Sequence, residues 1–359
     1  MPGNDVTCER GGLSRARIVE LLCLRGDEQT ALHNKASAIR KANLSDSVYI
    51  RPLVEFSNIC NNDCFYCGLR RSNNNIKRFE LKPEEILAVA DDASDAGINS
   101  IVLQSGERRD RKFTSYVSYT LKLIKEKHPR MCITLAAGEQ ERGVYEEFFE
   151  YGASRYILRI ETTNEEHFKK LHPKSQSFKH RLQSLHELKE IGFQIGTGVM
   201  VNAPFQTLEN LADDIFFFSL LDLELCSLGP YIPHSDTPFG GIEYLPEETL
   251  NLGLNMISVV RLALPDVNIA STASLDSLSS DGKELGLAAG ANVILPRLSS
   301  SGINREGALD DDKLRGVMEY RSLLKNLEAR IIELGYTPDA GETADNRYYM
   351  QKVNSVADK

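Results

Sequence analysis

The feature that most constrains this 359-residue chain is an alternation. Short β-branched or apolar runs are followed, about eight times, by charged stretches of helical period. The runs fall at 53–56, 100–103, 132–135, 156–160, 194–201, 226–228, 267–270 and 292–295. Between them lie helical patterns such as 82–97, with Pro83 at a first helical position and Gly97 as a C-terminal cap, 177–192 and 207–221. Strand and helix in strict succession imply a parallel sheet with helices on its faces, hence an α/β fold. Eight units suggest a (β/α)8 TIM-type barrel, with an open doubly wound sheet as the structural alternative. The expected organisation is an N-terminal helical extension over 1–45, a barrel over 46–304, and a helical segment with a polar tail over 305–359.

Charge and hydropathy narrow the function classes. A net charge of −9 speaks against a general nucleic-acid binder or a polybasic membrane protein. The most apolar run, 215–226, is short and contains Asp222 and Glu224, so it does not suit a bilayer span. The N-terminal MPGNDVTCERGG has no apolar signal region, and the expected location is the cytoplasm.

There are seven cysteines. An odd number in such a chain is not a disulfide framework. Three of them, Cys60, Cys64 and Cys67, form C-x3-C-x2-C directly after the run 53–56, where a barrel mounts its chemistry. Fe–S cubanes usually take four thiolates. Three close thiolates therefore bind three irons and leave the fourth to a small molecule. Structural zinc is the competing reading, but it takes four ligands, typically in two pairs, and no second C-x-x-C follows. Cys132 and Cys226 sit in expected strands and read as core residues.

This loop is the signature of the radical S-adenosylmethionine (SAM) superfamily, which the chain resembles. The run RPLVEFSNICNNDCFYCGLRRSNNNIKRFEL (51–81) is similar to the HydE maturases of [FeFe]-hydrogenase. So are IVLQSGE (101–107), TLAAGE (134–139), RYILRIET (155–162) and GPYIPHSDTP (229–238), together spanning about 50–296. Biotin synthase and methylornithine synthase are relatives of that family. The resemblance implies one [4Fe–4S] cluster, a SAM cofactor held by its amino and carboxylate groups, and one-electron cleavage to a 5′-deoxyadenosyl radical.

The remaining candidates end successive strands. Glu107 suits a SAM ammonium or ribose, and by resemblance Gln104 lies near the substrate. Ala136 and Tyr66 match positions beside SAM, and Thr134 is a further candidate for substrate. Alternation puts Arg159 and Glu161 on one side of their strand. Buried together, they need partners, which a ligand with a carboxylate and an ammonium supplies. By resemblance Glu161 binds SAM and Arg159 faces the substrate, where its fork grips an anion. Arg181 matches a SAM-binding arginine. Met200 and Ile232 suit packing on adenine. Ser271 and Thr272 match a hydroxyl pair lining the HydE cavity, or else cap the next helix.

Two departures from HydE stand out. No cysteine follows Cys226, so the auxiliary cluster of many HydE proteins is absent. The stretch LPRLSSSGINREGALDDDKL (295–314), with Ser299 to Ser301 and Arg305, replaces the family's substrate-closing segment. Three readings follow. The first is a HydE-type enzyme acting on an organometallic substrate, with a reducing electron donor and other hydrogenase maturases, HydG among them, as partners. The second is a relative acting on an amino acid or other small anion, as methylornithine synthase does. The third is a non-catalytic iron–sulfur scaffold, which requires a barrel interior filled by apolar side chains.

Overall fold

The computed structural model describes residues 12–221, 223–297 and 320–341. Cys8, Ser299 to Ser301, Arg305 and most of the divergent 295–314 stretch lie outside the described residues. Helices α1 (Arg15–Leu22) and α2 (Gly26–Leu44) precede β1 (Ser47–Ile50) and β2 (Leu53–Ser57). There follow α3 (Pro83–Asp95), β3 (Ser100–Ser105), α4 (Arg111–Lys127), β4 (Cys132–Ala136), α5 (Arg142–Glu150) and β5 (Ala153–Ile157). Next come α6 (Glu165–Leu171), α7 (Phe178–Ile191), β6 (Gln194–Thr197), β7 (Met200–Val201), α8 (Leu208–Leu221), β8 (Leu225–Cys226) and β9 (Gly229–Pro230). The last are α9 (Pro246–Ala263), β10 (Asn268–Ser271), α10 (Ala273–Asp276), α11 (Gly282–Ala288), β11 (Val293–Ile294), α12 (Tyr320–Glu333) and β12 (Thr337–Asp339).

Among the described residues the strands of the main sheet pair in parallel, in the order β12-β1-β11-β10-β8-β6-β5-β4-β3-β2, with one isolated antiparallel bridge from Ser57 to Glu80. β1 and β2 are one extended path interrupted at Arg51-Pro52. Its first half pairs with β11 (Ile50↔Ile294) and its second with β3 (Leu53↔Val102), and a bridge joins Leu53 to Arg297. The sheet therefore closes on itself as the expected (β/α)8 barrel, with β12 added outside on β1. Strands covered on both faces read as continuous apolar runs, and β2, LVEFS, is buried at all five positions.

Local signals set the helix ends. Pro83 opens α3, and Gly97 follows it with φ +81°. Ser177 accepts the His180 N–H at the start of α7, and left-handed Gly192 ends it. Several strands differ from the sequence expectation. β5 runs over 153–157 rather than 156–160, because the path beyond Ile157 leaves regular pairing and reaches Glu161 with φ +63°. β1, β9 and β12 were not anticipated at all; each is short and pairs only with distant segments. The 194–201 run divides into β6 and β7 at Gly198, where a Cβ would stand 1.8 Å from the Ser227 carbonyl oxygen. β7 and β9 pair with each other above the ring.

The two leading helices pack on the barrel's outer layer. Gln29 Nε2 donates to Asn255 Oδ1 on α9 (2.9 Å), and Arg15 pairs with Asp213 on α8 (2.7 Å). Among the described residues no helix is long and apolar enough to cross a membrane.

Candidate active site

The cysteine loop leaves the C-terminal end of β2 and is shaped by its own side chains. Arg78 donates to the carbonyls of Asn58, Leu69, Arg70 and Asn73, at 2.7–3.2 Å. Asp63 accepts from Arg70 Nε and the Ser72 N–H, both at 3.0 Å. Glycines allow close packing here. A Cβ on Gly106 would meet the Ile59 carbonyl oxygen at 2.4 Å, and one on Gly68 would meet the His234 ring at 2.6 Å. His234 thus packs on the cysteine loop, and its Nδ1 accepts from the Asp236 N–H (3.1 Å).

The three thiols are held close enough to perturb one another. Burial, and then the neighbouring thiols, push the Cys64 thiol well up; burial raises Cys67 to about 11 and also pushes the Cys60 thiol above its ordinary value. Such thiols keep their protons until a cation replaces them. Among the described residues no three His, Cys, Asp or Glu side chains converge on a single metal ion. Thiolates on separate irons of a cubane need not converge, so this donor set fits an iron–sulfur cube better than lone zinc.

Beside the loop, the strand ends surround a cavity of about 380 Å³. Its lining includes Gln104, Glu107, Ala136, Arg159, Arg181 and Thr272 among the residues picked from sequence. A smaller, deeper void of about 30 Å³, lined by Thr134 and Cys226, lies between the strands below it. Arg159 Nε stands 3.1 Å from Glu161 Oε1, although both lie beyond the end of β5, where strand alternation no longer places them. The contact is an ion pair without hydrogen-bond geometry, and Arg159 Nε itself has no hydrogen-bond partner. Arg159 Nη2, Glu161 Oε2 and Thr134 Oγ1 are buried without a hydrogen-bond partner. Left-handed backbone at a non-glycine residue costs roughly 1–3 kcal/mol and concentrates at functional positions. Here it turns Glu161, after which Thr163 N–H and Oγ1 both donate to Asp214 Oδ1, at 2.6 and 2.7 Å.

Arg181 is buried on α7 and anchors one wall. It pairs with Glu139 through Nε, stands 3.7 Å from Glu107, and donates from Nη1 to the Arg159 carbonyl (2.6 Å). Arg109 joins Glu107 (2.9 Å) to Glu139 (2.6 Å), and His180 Nδ1 reaches Glu139 as well (2.6 Å). Gly138, at φ +74°, gives Glu107 its place, since a Cβ there would lie 2.2 Å from Glu107 Cγ.

Tyr66, Met200 and Ile232 are not among the residues that line this cavity. Met200 clusters with Leu171, Ala203, Tyr231 and Phe239, and Tyr66 packs against them. The Tyr66 hydroxyl is occupied. His172 Nδ1 donates to the Phe168 carbonyl (3.0 Å), so its Nε2 accepts from Tyr66 (3.1 Å). Burial lowers His172 to about 3 and keeps the ring neutral. Ile232 is half-buried just beyond Tyr231.

The two hydroxyls diverge. Thr272 lines the cavity and donates to the Leu228 carbonyl (3.0 Å). Ser271 points the other way, donating to the Lys283 carbonyl (2.9 Å) against Gly286 of α11. Thr272 precedes α10, yet its side chain makes no capping bond. Cys132 and Cys226 are buried, as the sequence implied. Glu139, His180, Asp214, and the cavity residues Glu55 and Arg297 escaped the sequence reading. A charged residue inside the apolar run 53–56 was a usable signal for Glu55.

Comparison with known proteins decides the family. The sequence profile described as "Radical SAM superfamily" matches residues 54–218. The chain is 40% identical over 305 residues to the [FeFe] hydrogenase maturase subunit HydE of Thermotoga maritima, covering 84% of this chain and 85% of that one. The chain belongs to the radical SAM superfamily. It is also 27% identical to the 3-methylornithine synthase of Methanosarcina acetivorans, over 89% of this chain and 90% of that protein. A crystal structure of methylornithine synthase superposes with a TM-score of 0.82 at 24% identity, covering 95% and 98% of the two chains, and shows the same fold. The chain is accordingly an enzyme, and the cofactors of a radical SAM protein are a [4Fe–4S] cluster and SAM. The cavity's paired charges contradict the scaffold reading, which required an apolar filling.

Proposed function

We propose that this protein is a HydE-type maturase, acting in the cytoplasm on a small, organometallic precursor of the [FeFe]-hydrogenase diiron site, alongside other maturases such as HydG and a reducing electron donor. The observation that carries this is the 40% identity to a HydE over 84% of the chain. In this reading Cys60, Cys64 and Cys67 hold three irons of the cluster. Once bound, cluster and SAM together supply reductive cleavage of SAM to a 5′-deoxyadenosyl radical. The protein's part is to bind, orient and exclude water. Glu161 receives the SAM ammonium through its unpartnered Oε2, with Glu107 and Ala136 beside it. Arg181 fixes that wall by holding the Arg159 carbonyl. Met200, Tyr66 and Ile232 give adenine an apolar surface. Gln104, Arg159, Thr134 and Thr272 face the substrate, where Arg159 Nη2 is free to take an anionic group. Ser271 supports this wall from behind.

The test is anaerobic. Protein reconstituted with iron and sulfide receives dithionite and SAM, and 5′-deoxyadenosine is quantified by mass spectrometry. The same protein is supplied to a strain lacking its own HydE, and hydrogenase activity is read. Both signals are expected. 5′-Deoxyadenosine with no restored hydrogenase, and with rearrangement of added lysine, would replace the maturase reading by a methylornithine synthase-like one.

A further inference from the structure

The outer side of the cysteine loop touches a residue that neither the sequence reading nor the site above uses. Gln176 lies in the turn between α6 and α7 and is half-buried. Its Oε1 accepts the Cys64 thiol proton at 3.2 Å, while its Nε2 is buried with no partner. The contact is imposed from both sides. The Phe65 N–H donates to the Leu171 carbonyl (2.9 Å) and Tyr66 to His172 (3.1 Å), tying the loop to the end of α6. The Gln176 N–H donates to the Pro173 carbonyl (3.0 Å), and Ser177 then caps α7.

This arrangement suits a thiol only. A cysteine sulfur bound to iron has no proton to give and can only accept. The amide oxygen facing it would then be repelled. Rotating the amide by half a turn exchanges Oε1 and Nε2, atoms that differ little in shape. It costs Nε2 nothing, because Nε2 has no bond to lose, and it gives the sulfur a donor. We infer that Gln176 donates an N–H to the Cys64 sulfur once the cluster is bound and thereby raises the cluster's reduction potential. The donor dipole stabilises the reduced, more negative cluster more than the oxidised one. Gln176 is thus a positioning residue for electron entry: an external reductant gives one electron to the cluster, and no bond to the protein is made or broken.

The inference rests on the cluster reading of the three cysteines, and the test separates the two. Wild type, Q176M and Q176E are loaded to equal iron content and titrated by EPR against solution potential without SAM. Methionine keeps the length of glutamine and lacks the N–H. In Q176M the ratio of reduced to oxidised cluster at a fixed potential should fall about tenfold, ~59 mV for one electron. In Q176E the carboxylate beside the sulfur should lower it at least as far. Wild type carrying side-chain 15N-glutamine should show a nitrogen coupling to the reduced cluster by pulsed EPR, absent from both variants. An unchanged midpoint in either variant at full iron content, or no 15N coupling in wild type, overturns the role of Gln176. Wild type that binds no cluster sinks the cluster reading instead.

Discussion

Glu139 gives the sharpest test of how this site is held. Its side chain is 4% exposed and that of Arg181 is 7%, so their ion pair is almost dry. The Arg109 and His180 side chains are 41% and 36% exposed, and their contacts with Glu139 are discounted for solvent screening. Removing one partner of a buried pair costs about 3–5 kcal/mol, because the other charge is left uncompensated. Glu107, 3.7 Å from Arg181, takes up part of that charge. The expected loss for E139Q is therefore at the low end, about 3 kcal/mol. Glutamine can still accept from Arg181, but its amide N–H groups then face Arg109 and His180.

Urea unfolding of the cluster-free protein, followed by far-ultraviolet circular dichroism, measures this directly. The loss should persist in high salt, where a surface pair would be screened. It should also depend on pH. Burial pushes the Glu139 carboxyl up, but Arg181 and Arg109 outweigh it and hold the group below its ordinary value. A depressed carboxylate contributes stability above its unfolded pKa and loses it as pH falls through the folded one. Wild type and E139Q should converge in acid. A loss below about 1 kcal/mol near neutral pH would mean that the network is solvated.

Three further substitutions probe the surroundings. Burial raises Asp214 to about 7 against its two Thr163 hydrogen bonds, so the folded state holds that proton more tightly than the unfolded one. Its contribution is full below about pH 4 and is lost as pH rises to 7, by up to about 1.4 kcal/mol per pH unit. Thermal melts of D214N should lack this decline, and equal slopes in wild type and variant would refute it. In G138A a methyl group must displace Glu107, so SAM affinity in equilibrium dialysis should fall at least several-fold. G143A on α5, with nothing within 4 Å of its Cβ, should leave affinity unchanged and gain up to about 1 kcal/mol of stability.

What could be read from the sequence was local. The cysteine spacing carries its chemistry within eight residues, and Pro83, Ser177 and Gly192 mark helix ends within a turn. What escaped depends on residues far apart. Arg181 and Glu139 are separated by 42 positions, and Gln176 and Cys64 by 112. The faces of Ser271 and Thr272 depend on how β10 sits in the ring, which their own spacing does not encode. β5 began three residues earlier than expected because apolar residues continue past its end into the irregular path that delivers Glu161.

The charge balance of the cavity bears on what can occupy it. Its lining includes Glu55, Glu107, Arg159, Arg181 and Arg297, and Glu161 is paired to Arg159. That is three carboxylates against three guanidinium groups, so the mouth of the barrel is polar without a net sign. A site of this kind would not concentrate a simple anion by its overall field. It selects by geometry, through separately placed donors and acceptors. Arg159 Nη2 and Glu161 Oε2 are such a pair: one donor and one acceptor, both buried and both unpartnered. In the reading proposed above, the SAM ammonium at Glu161 and an anionic group of the substrate at Arg159 give each of them a partner.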